Sequence, residues 1–455
     1  MTARPYWHWV LVAGLLAWTA TTAIQWLLPA PLGHDEAQYA LAARDVLDGI
    51  EPRWFYLSPG MNALAVPGII LGGSEEAVRL VPFLTGLIFV LAIAGLAWRA
   101  LGGAAAAWSV AILAGARPLL QRTTELLSDV PSAACMMLAM WVLATELSRE
   151  QGSRWRLLTV APLLAAAFYI RYGSCLPVAI ICVVPLGLWW RSVFRRPLPV
   201  IATALLFGIM LVPHALLAKR TIGSIFGILL LSKEVPGGTF GEGLHTYLTT
   251  NPFRFYGALV PLVMVPGLIA PFVVRQRSVI FLWLVGVGDI VGMGLATPAQ
   301  PRYIFLGTTL LVVLGADLIR RFGEARGSQV RKALAAIALT FLAGSWLVVA
   351  RQALHYPANT RDKMVNVFKA MEVTKRDAGG KPCQVINKHT TQVEWYGGCV
   401  GAWDPPVDAI GRGDAVYAVR DDTGGDQPDL AAMPGKHRVI FESKSLIIVK
   451  LEPPL

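Results

Sequence analysis

Four short stretches of this 455-residue chain hold residue types that could do chemistry together. "HDEAQY" carries Asp35, Glu36 and Tyr39, and "RTTELLSDVP" carries Glu125 and Asp129. "YIRYGS" carries Arg171 and Tyr172, and "PAQPRYIF" carries Arg302 and Tyr303. Each stands at the edge of a long apolar block. Guanidinium groups bind phosphate oxygens bidentately, and a nearby carboxylate suits removal of a proton from a hydroxyl. The combination suggests group transfer from a lipid phosphate to an alcohol. Asp35 and Glu36 are adjacent, so on a helix they point about 100° apart and cannot form a facing dyad. One can face a cavity while the other binds a neighbouring element or a substrate hydroxyl. Glu125 and Asp129 stand at i, i+4 and share a face if that stretch is helical. Plainer readings exist for all of them. Asp35 could be the N-cap of a helix over 36–48, with Glu36 at its positive end. An Arg-Tyr pair can be a membrane-interface anchor, with Tyr at the headgroups and Arg snorkelling.

The elements that must position these residues are mostly transmembrane. The chain is 55% hydrophobic and 15% charged, against about 25% charged in average soluble domains. The apolar residues fall in long blocks, which predicts a polytopic α-helical membrane protein. Eleven spans are expected, roughly 8–29, 79–100, 104–120, 130–148, 157–172, 175–190, 198–218, 256–274, 278–296, 303–319 and 333–351. The first block is too long for the apolar region of a signal peptide and reads as a retained span. The fifth and sixth are short, so both need not cross fully. Between spans one and two, "DEAQYALAARDVLDG" and "MNALAVPGIILGG" read as helices lying at the membrane interface. The "KEVPGGTFGEG" segment has the Gly/Pro density of a mobile lid.

Charge sets the expected orientation. The net charge is +11, yet residues 352–455 hold 13 basic and 13 acidic residues, so the whole excess lies in the membrane part. That argues for topology signals and against nucleic-acid binding. "SREQGSRWR", "RSVFRRP", "RQR" and "RRFGEARGSQVRK", with Arg4 and Arg99, mark the cytoplasmic side. The N-terminus is then cytoplasmic, in a bacterial-type inner (plasma) membrane, and the tail is extracytoplasmic. Eleven of the 16 membrane-part acids fall in the outward loops, together with the Arg-Tyr pairs. That skew is what a site on the outer face would produce.

Two domains follow: a transmembrane catalytic domain over 1–351 and a small α/β domain over 352–455. In the tail, "PCQVIN", "DAVYAVR", "HRVIFES" and "SLIIVKLE" read as strands, and 361–376 and 390–396 as helices. Cys383 and Cys399 are its only cysteines, and in an oxidising compartment they would form a disulfide.

In order and spacing, these motifs resemble the GT-C glycosyltransferases, in particular the protein O-mannosyltransferase and lipid A aminoarabinose transferase branch. The carrying features are "HDEAQY" after the first span, "YLSPG" before an apolar interfacial helix, Arg79 opening the second span, "ELLSDVP", "RYG" and a late "RY". The resemblance implies a GT-C-like fold over most of residues 8–351. It implies an inverting transfer from a polyprenyl-phosphate sugar to a hydroxyl of an envelope glycolipid such as lipid A, a polysaccharide or a protein. Asp35 would be the base that activates the acceptor and Glu36 would organise the site. Arg171 and Arg302 would hold the donor phosphate, supported by Tyr172 and Tyr303. Asp129 would be structural or touch substrate, as would Glu125 and Tyr39. Ser58 stands where aminoarabinose transferases tend to have Lys, so one phosphate contact would fall to Arg53 or Arg79. No cofactor is required, and a divalent metal at the carboxylates is compatible with the mechanism. The competing class is a transporter or flippase of lipid-linked sugars, which should show internal repeats and broken helices at mid-membrane. Neither is visible. Asp289, inside span nine, reads as a structural hydrogen-bonding group, and His214 as a satisfied core residue.

Overall fold

The structure is a computed structural model that describes residues 7–50, 58–149, 154–195, 197–227, 240–249, 259–296, 299–326, 328–402, 407–421, 428–429 and 433–453. In chain order, α1 (Trp7–Leu27) is followed by α2 (His34–Leu47), α3 (Pro59–Ile70), the one-turn α4 (Glu75–Val78) and α5 (Leu80–Leu101). Then come α6 (Gly103–Leu113), α7 (Arg117–Thr124), α8 (Asp129–Leu147), α9 (Val160–Ile170), α10 (Cys175–Leu188), α11 (Trp190–Arg195) and α12 (Pro197–Ile222). The helical part closes with α13 (Glu242–Thr249), α14 (Leu259–Val273), α15 (Arg277–Ala296), α16 (Phe305–Ala325) and α17 (Ser328–Lys363).

All eleven apolar blocks are helical, but they are not eleven equivalent spans. Among the described residues, seven helices are long and apolar enough to cross a membrane, or eight if α6 and α7 form one span bent by 82°. Segments 157–172, 175–190 and 256–274 yield shorter apolar helices. Pro at the start of α7 and inside α14 explains part of this, since proline lacks the N–H that continues a helix. The chain is a multi-pass integral membrane protein.

The fold divides into two units. One comprises Met1–Leu27, Phe55–Leu64 and Arg79–Ala353; the other comprises Leu28–Trp54, Ala65–Val78 and Leu354–Leu455. The sequence predicts a single break near residue 351. In the structure, two pieces of the first loop group with the tail instead.

In the first unit α16 is the central helix, with an almost unbroken run of buried residues from Phe305 to Asp317. It meets α14 backbone to backbone. A Cβ on Gly315 would lie 1.8 Å from the Val263 carbonyl oxygen, and one on Gly267 would lie 2.1 Å from that of Leu311. Small residues at such a crossing are how membrane helices gain close contact without a hydrophobic driving force. Asp289 of α15 accepts a hydrogen bond from Gly307 N–H at 2.9 Å. It satisfies a first-turn amide of α16 that the helix itself leaves open, as its sequence reading expects.

The second unit is built on a mixed sheet ordered β2-β1-β3-β5-β4. Its strands are β1 (Cys383–Ile386), β2 (Val400–Ala402), β3 (Ala415–Asp421), β4 (Lys436–Glu442) and β5 (Leu446–Glu452). β1 pairs parallel with β2 and β3, and β5 pairs antiparallel with β3 and β4. Strand alternation gives β3 two buried faces. Tyr417 and Val419 join a core with α18 (Val365–Ala378) and α19 (Thr390–Gly397), while Val416 and Ala418 join another with α20 (Val407–Arg412). β2 and α20 are too short to read from the sequence. The final apolar helix runs on to Lys363 instead of ending near 351, and the tail helix expected at 361–376 lies at 365–378. Cys383 and Cys399 are disulfide-bonded, tying β1 to the residue before β2.

Candidate active site

Two groups of the expected site residues emerge, one in each unit. In the first unit the group is centred on Asp129, the first residue of α8. Its side chain is 3% exposed and accepts a hydrogen bond from Arg171 at 2.5 Å, with Arg302 Nε 3.9 Å from its other oxygen. Arg171 reaches it because α9 ends at Ile170 and Arg171 takes an extended backbone, φ −151° and ψ 111°. Ser132 of α8 fixes that junction, bonding the Ala167 carbonyl at 3.0 Å and Ser174 Oγ at 2.6 Å. The Tyr303 ring lies under both guanidinium groups, 4.5 Å from Arg171 and 5.6 Å from Arg302, at cation–π range. The space left among these side chains is about 10 Å³, room for one water at most. A phosphate would therefore meet the outward edges of the guanidiniums, since the Arg171 and Arg302 side chains are 14% and 20% exposed.

Three residues of this group were not singled out by motif. Arg122 pairs with Glu125 and lies within electrostatic reach of Arg302 and Asp129. Gln300 accepts from Arg302 Nε at 2.7 Å. Tyr247 of α13 donates to the Gln300 carbonyl at 3.0 Å, and burial pushes its phenol up to about 12, so it remains a donor. Arg122 sits three residues before Glu125, a spacing visible in the sequence. The Tyr247–Gln300 contact spans 53 residues and leaves no local signal.

Several expectations are corrected. Glu125 and Asp129 do not share a helix face: Glu125 is the extended residue that ends α7, with φ −77° and ψ 146°, and α8 starts at Asp129. Arg171 faces the cluster. Tyr172 does not join it; its ring lies 4.9 Å from that of His214 and 5.3 Å from that of Phe168. Neither the Tyr172 hydroxyl nor His214 Nδ1 has a hydrogen-bond partner among the described residues, so His214 is buried but not satisfied. Arg79 is 4% exposed at the start of α5. Arg53 lies outside the described residues.

In the second unit Asp35, Glu36 and Tyr39 lie on α2. The N-cap is Gly33, not Asp35. Glu36 is 4% exposed and accepts from Gly33 N–H at 2.9 Å, so its carboxylate closes the helix start. Gly49, at φ 71°, ends the helix as the sequence predicts. The helix is held by α19. Thr391 bonds the His34 carbonyl at 3.0 Å, Arg44 lies 4.5 Å over the Trp395 ring, and the Tyr396 hydroxyl receives Leu32 N–H at 2.7 Å. That hydroxyl donates to Glu75 at 2.6 Å.

Residues 62–216 match the family described as dolichyl-phosphate-mannose-protein mannosyltransferase. That stretch includes Glu125, Asp129, Arg171 and Tyr172. The match covers 155 of the chain's 455 residues. ArnT from Cupriavidus metallidurans in the apo state has a similar fold, with a TM-score of 0.71 and 15% identity, over 98% of both chains. The same protein bound to undecaprenyl phosphate gives 0.70 at 14% identity, again over 98% of both chains. The Archaeoglobus fulgidus oligosaccharyltransferase in complex with zinc and sulfate gives 0.61 at 13% identity, over 86% of this chain and 62% of that one. No curated protein sequence matches this chain.

Proposed function

We propose that this enzyme moves a sugar from a polyprenyl-phosphate donor to a hydroxyl of an envelope acceptor, a glycolipid such as lipid A, a polysaccharide or a protein. The observation that supports this most is the Asp129-held pair Arg171 and Arg302, stacked on Tyr303 at the ends of membrane helices. The likeness to a protein solved with undecaprenyl phosphate supports a lipid-phosphate donor. In this reading the arginines hold the donor phosphate and stabilise it as it leaves, an electrostatic effect of several kcal/mol in enzymes generally. Asp35 takes the acceptor proton by its place in the family's Asp-Glu motif, and attack opposite the phosphate inverts the anomeric centre. The arginines supply the positive charge that a metal would supply, so a chelator leaves turnover unchanged. By the charge of the loops, the reaction runs on the extracytoplasmic face, with the eleven apolar blocks as the spans and α2 and α3 lying at the interface.

The test is transfer from synthetic polyprenyl-phosphate sugars in proteoliposomes. Asp35→Asn abolishes transfer and retains donor binding. Arg302→Ala raises the donor KM about 10- to 100-fold, as loss of a charged hydrogen bond requires. Near-normal turnover in the first variant removes the base assignment, and an unchanged KM in the second removes the phosphate assignment. Mass spectrometry of envelope lipids and glycans from a deletion strain identifies sugar and acceptor.

A further inference from the structure

The end of α8 away from Asp129 opens into a second, larger cavity. The helix has 19 residues, so at about 1.5 Å per residue the two ends are roughly 28 Å apart, close to the hydrocarbon thickness of a bilayer. The cavity measures about 550 Å³ and is lined by Arg99, Arg149, Arg154, Arg191, Arg195 and Arg277, with no carboxylate among its lining residues. These arginines come from four separate places: the last turn of α5, the segment after α8, α11 and the first residue of α15. The positive N-terminal end of α15 adds to their field.

The cavity is built, not an accident of loose loops. Arg154 is 5% exposed and donates to the Ser192 and Arg149 carbonyls, tying the segment after α8 to α11. Arg99 donates to Ser148, and Ser278 donates to the Ala100 carbonyl at 3.2 Å. Trp189, 4% exposed, forms part of the wall. A topology signal needs only positive charge in the loop; it does not need arginines from four segments converging on one cavity with one of them buried. Arg149 pairs with Glu146 at 2.8 Å, but the arginines brought in from the other segments still concentrate like charge around one cavity, and an anion inside offsets that repulsion. Arginine's planar fork fits phosphate oxygens. The volume exceeds that of one phosphate many times over, given about 30 Å³ per water. Trp98, Trp190 and Phe194 expose 48%, 52% and 73% of their surface on α5 and α11, the elements that carry Arg99, Arg191 and Arg195. Apolar side chains beside a phosphate-binding cavity suit a phosphate that carries acyl chains.

We propose that this cavity binds the phosphate headgroup of an anionic membrane lipid, on the face opposite the candidate active site. The full-length protein in detergent is titrated with phosphatidylglycerol, phosphatidylcholine and, separately, pyrophosphate, and bound species are read by native mass spectrometry. The wild type retains phosphatidylglycerol over phosphatidylcholine. The triple variant Arg99→Lys, Arg191→Lys, Arg277→Lys keeps the net charge and the topology signal but loses the fork geometry; it binds phosphatidylglycerol about tenfold more weakly. The variant Arg320→Lys, Arg321→Lys, Arg326→Lys, at the C-terminal end of α16, binds as the wild type does. Arg99→Gln alone also weakens binding and guards against a misfolded triple variant. Equal lipid binding by wild type and the first triple variant overturns the proposal. So does retention of pyrophosphate with no preference for phosphatidylglycerol, which would assign the cavity to a soluble phosphate.

Discussion

Asp129 determines what the two arginines beside it can do. A buried carboxylate between two guanidiniums fixes their planes and offsets one of their charges, leaving a net positive edge for a ligand. Removing one partner of a buried ion pair costs about 3–5 kcal/mol, mostly from the charge left behind. Asp129→Ala is therefore expected to lower the thermal midpoint of the detergent-solubilised protein sharply, while Asp129→Asn, which keeps an acceptor for Arg171, lowers it less. Equal midpoints for wild type and Asp129→Ala would show that the pair holds nothing together. The arginines and Tyr303 were legible because an Arg-Tyr pair at the edge of an apolar block is conspicuous. Gln300 and Tyr247 were not: their part is to orient Arg302 through hydrogen bonds that no local spacing encodes. Tyr172 shows the opposite error, since adjacency to Arg171 in sequence sends its ring away from the cluster, toward His214.

Among the elements, α16 carries the most responsibility, because Arg302 and Tyr303 precede it directly and its position is set by α14 and α15. The approach at Gly315 leaves no room for a side chain. Overpacking in a close-fitted interior costs typically about 1–3 kcal/mol and sometimes more, so Gly315→Val should lower the melting temperature and also raise the donor KM by tilting the start of α16. If neither quantity moves, α14 and α16 have slack that the geometry denies. The apolar pattern located α14, α15 and α16. It could not tell a full span from a short or bent helix such as α7, α9 or α14, because length against the bilayer is decided by prolines and by neighbours that hydropathy averages over.

For the molecule as a whole, the main surprise is that its two units are interleaved along the chain. The strand pattern made the sheet legible, since β3 and β5 are mostly apolar runs and β4 carries the apolar stretch Val439-Ile440-Phe441. The seating of α2 on α19 was not, because it joins residues more than 350 positions apart through single hydrogen bonds. His389 gives the second unit a pH dependence. Burial holds its imidazole below the ordinary 6.5, and the nearby Asp421 opposes this only in part. The folded form therefore favours neutral His389: its contribution is fully present above about 6.5 and is lost as the pH falls through the lowered value. The thermal midpoint of the full chain should fall between pH 8 and pH 5, and fall less in His389→Gln. Parallel pH profiles for the two would remove His389 as the cause.

The contact between His34 and Thr391 also bears on how the protein is made. The two residues are 357 positions apart, and at about 5–20 residues per second the ribosome takes on the order of 20–70 s to cover that distance. Throughout that time the helix bearing Asp35 has been synthesised, but the surface that holds it has not.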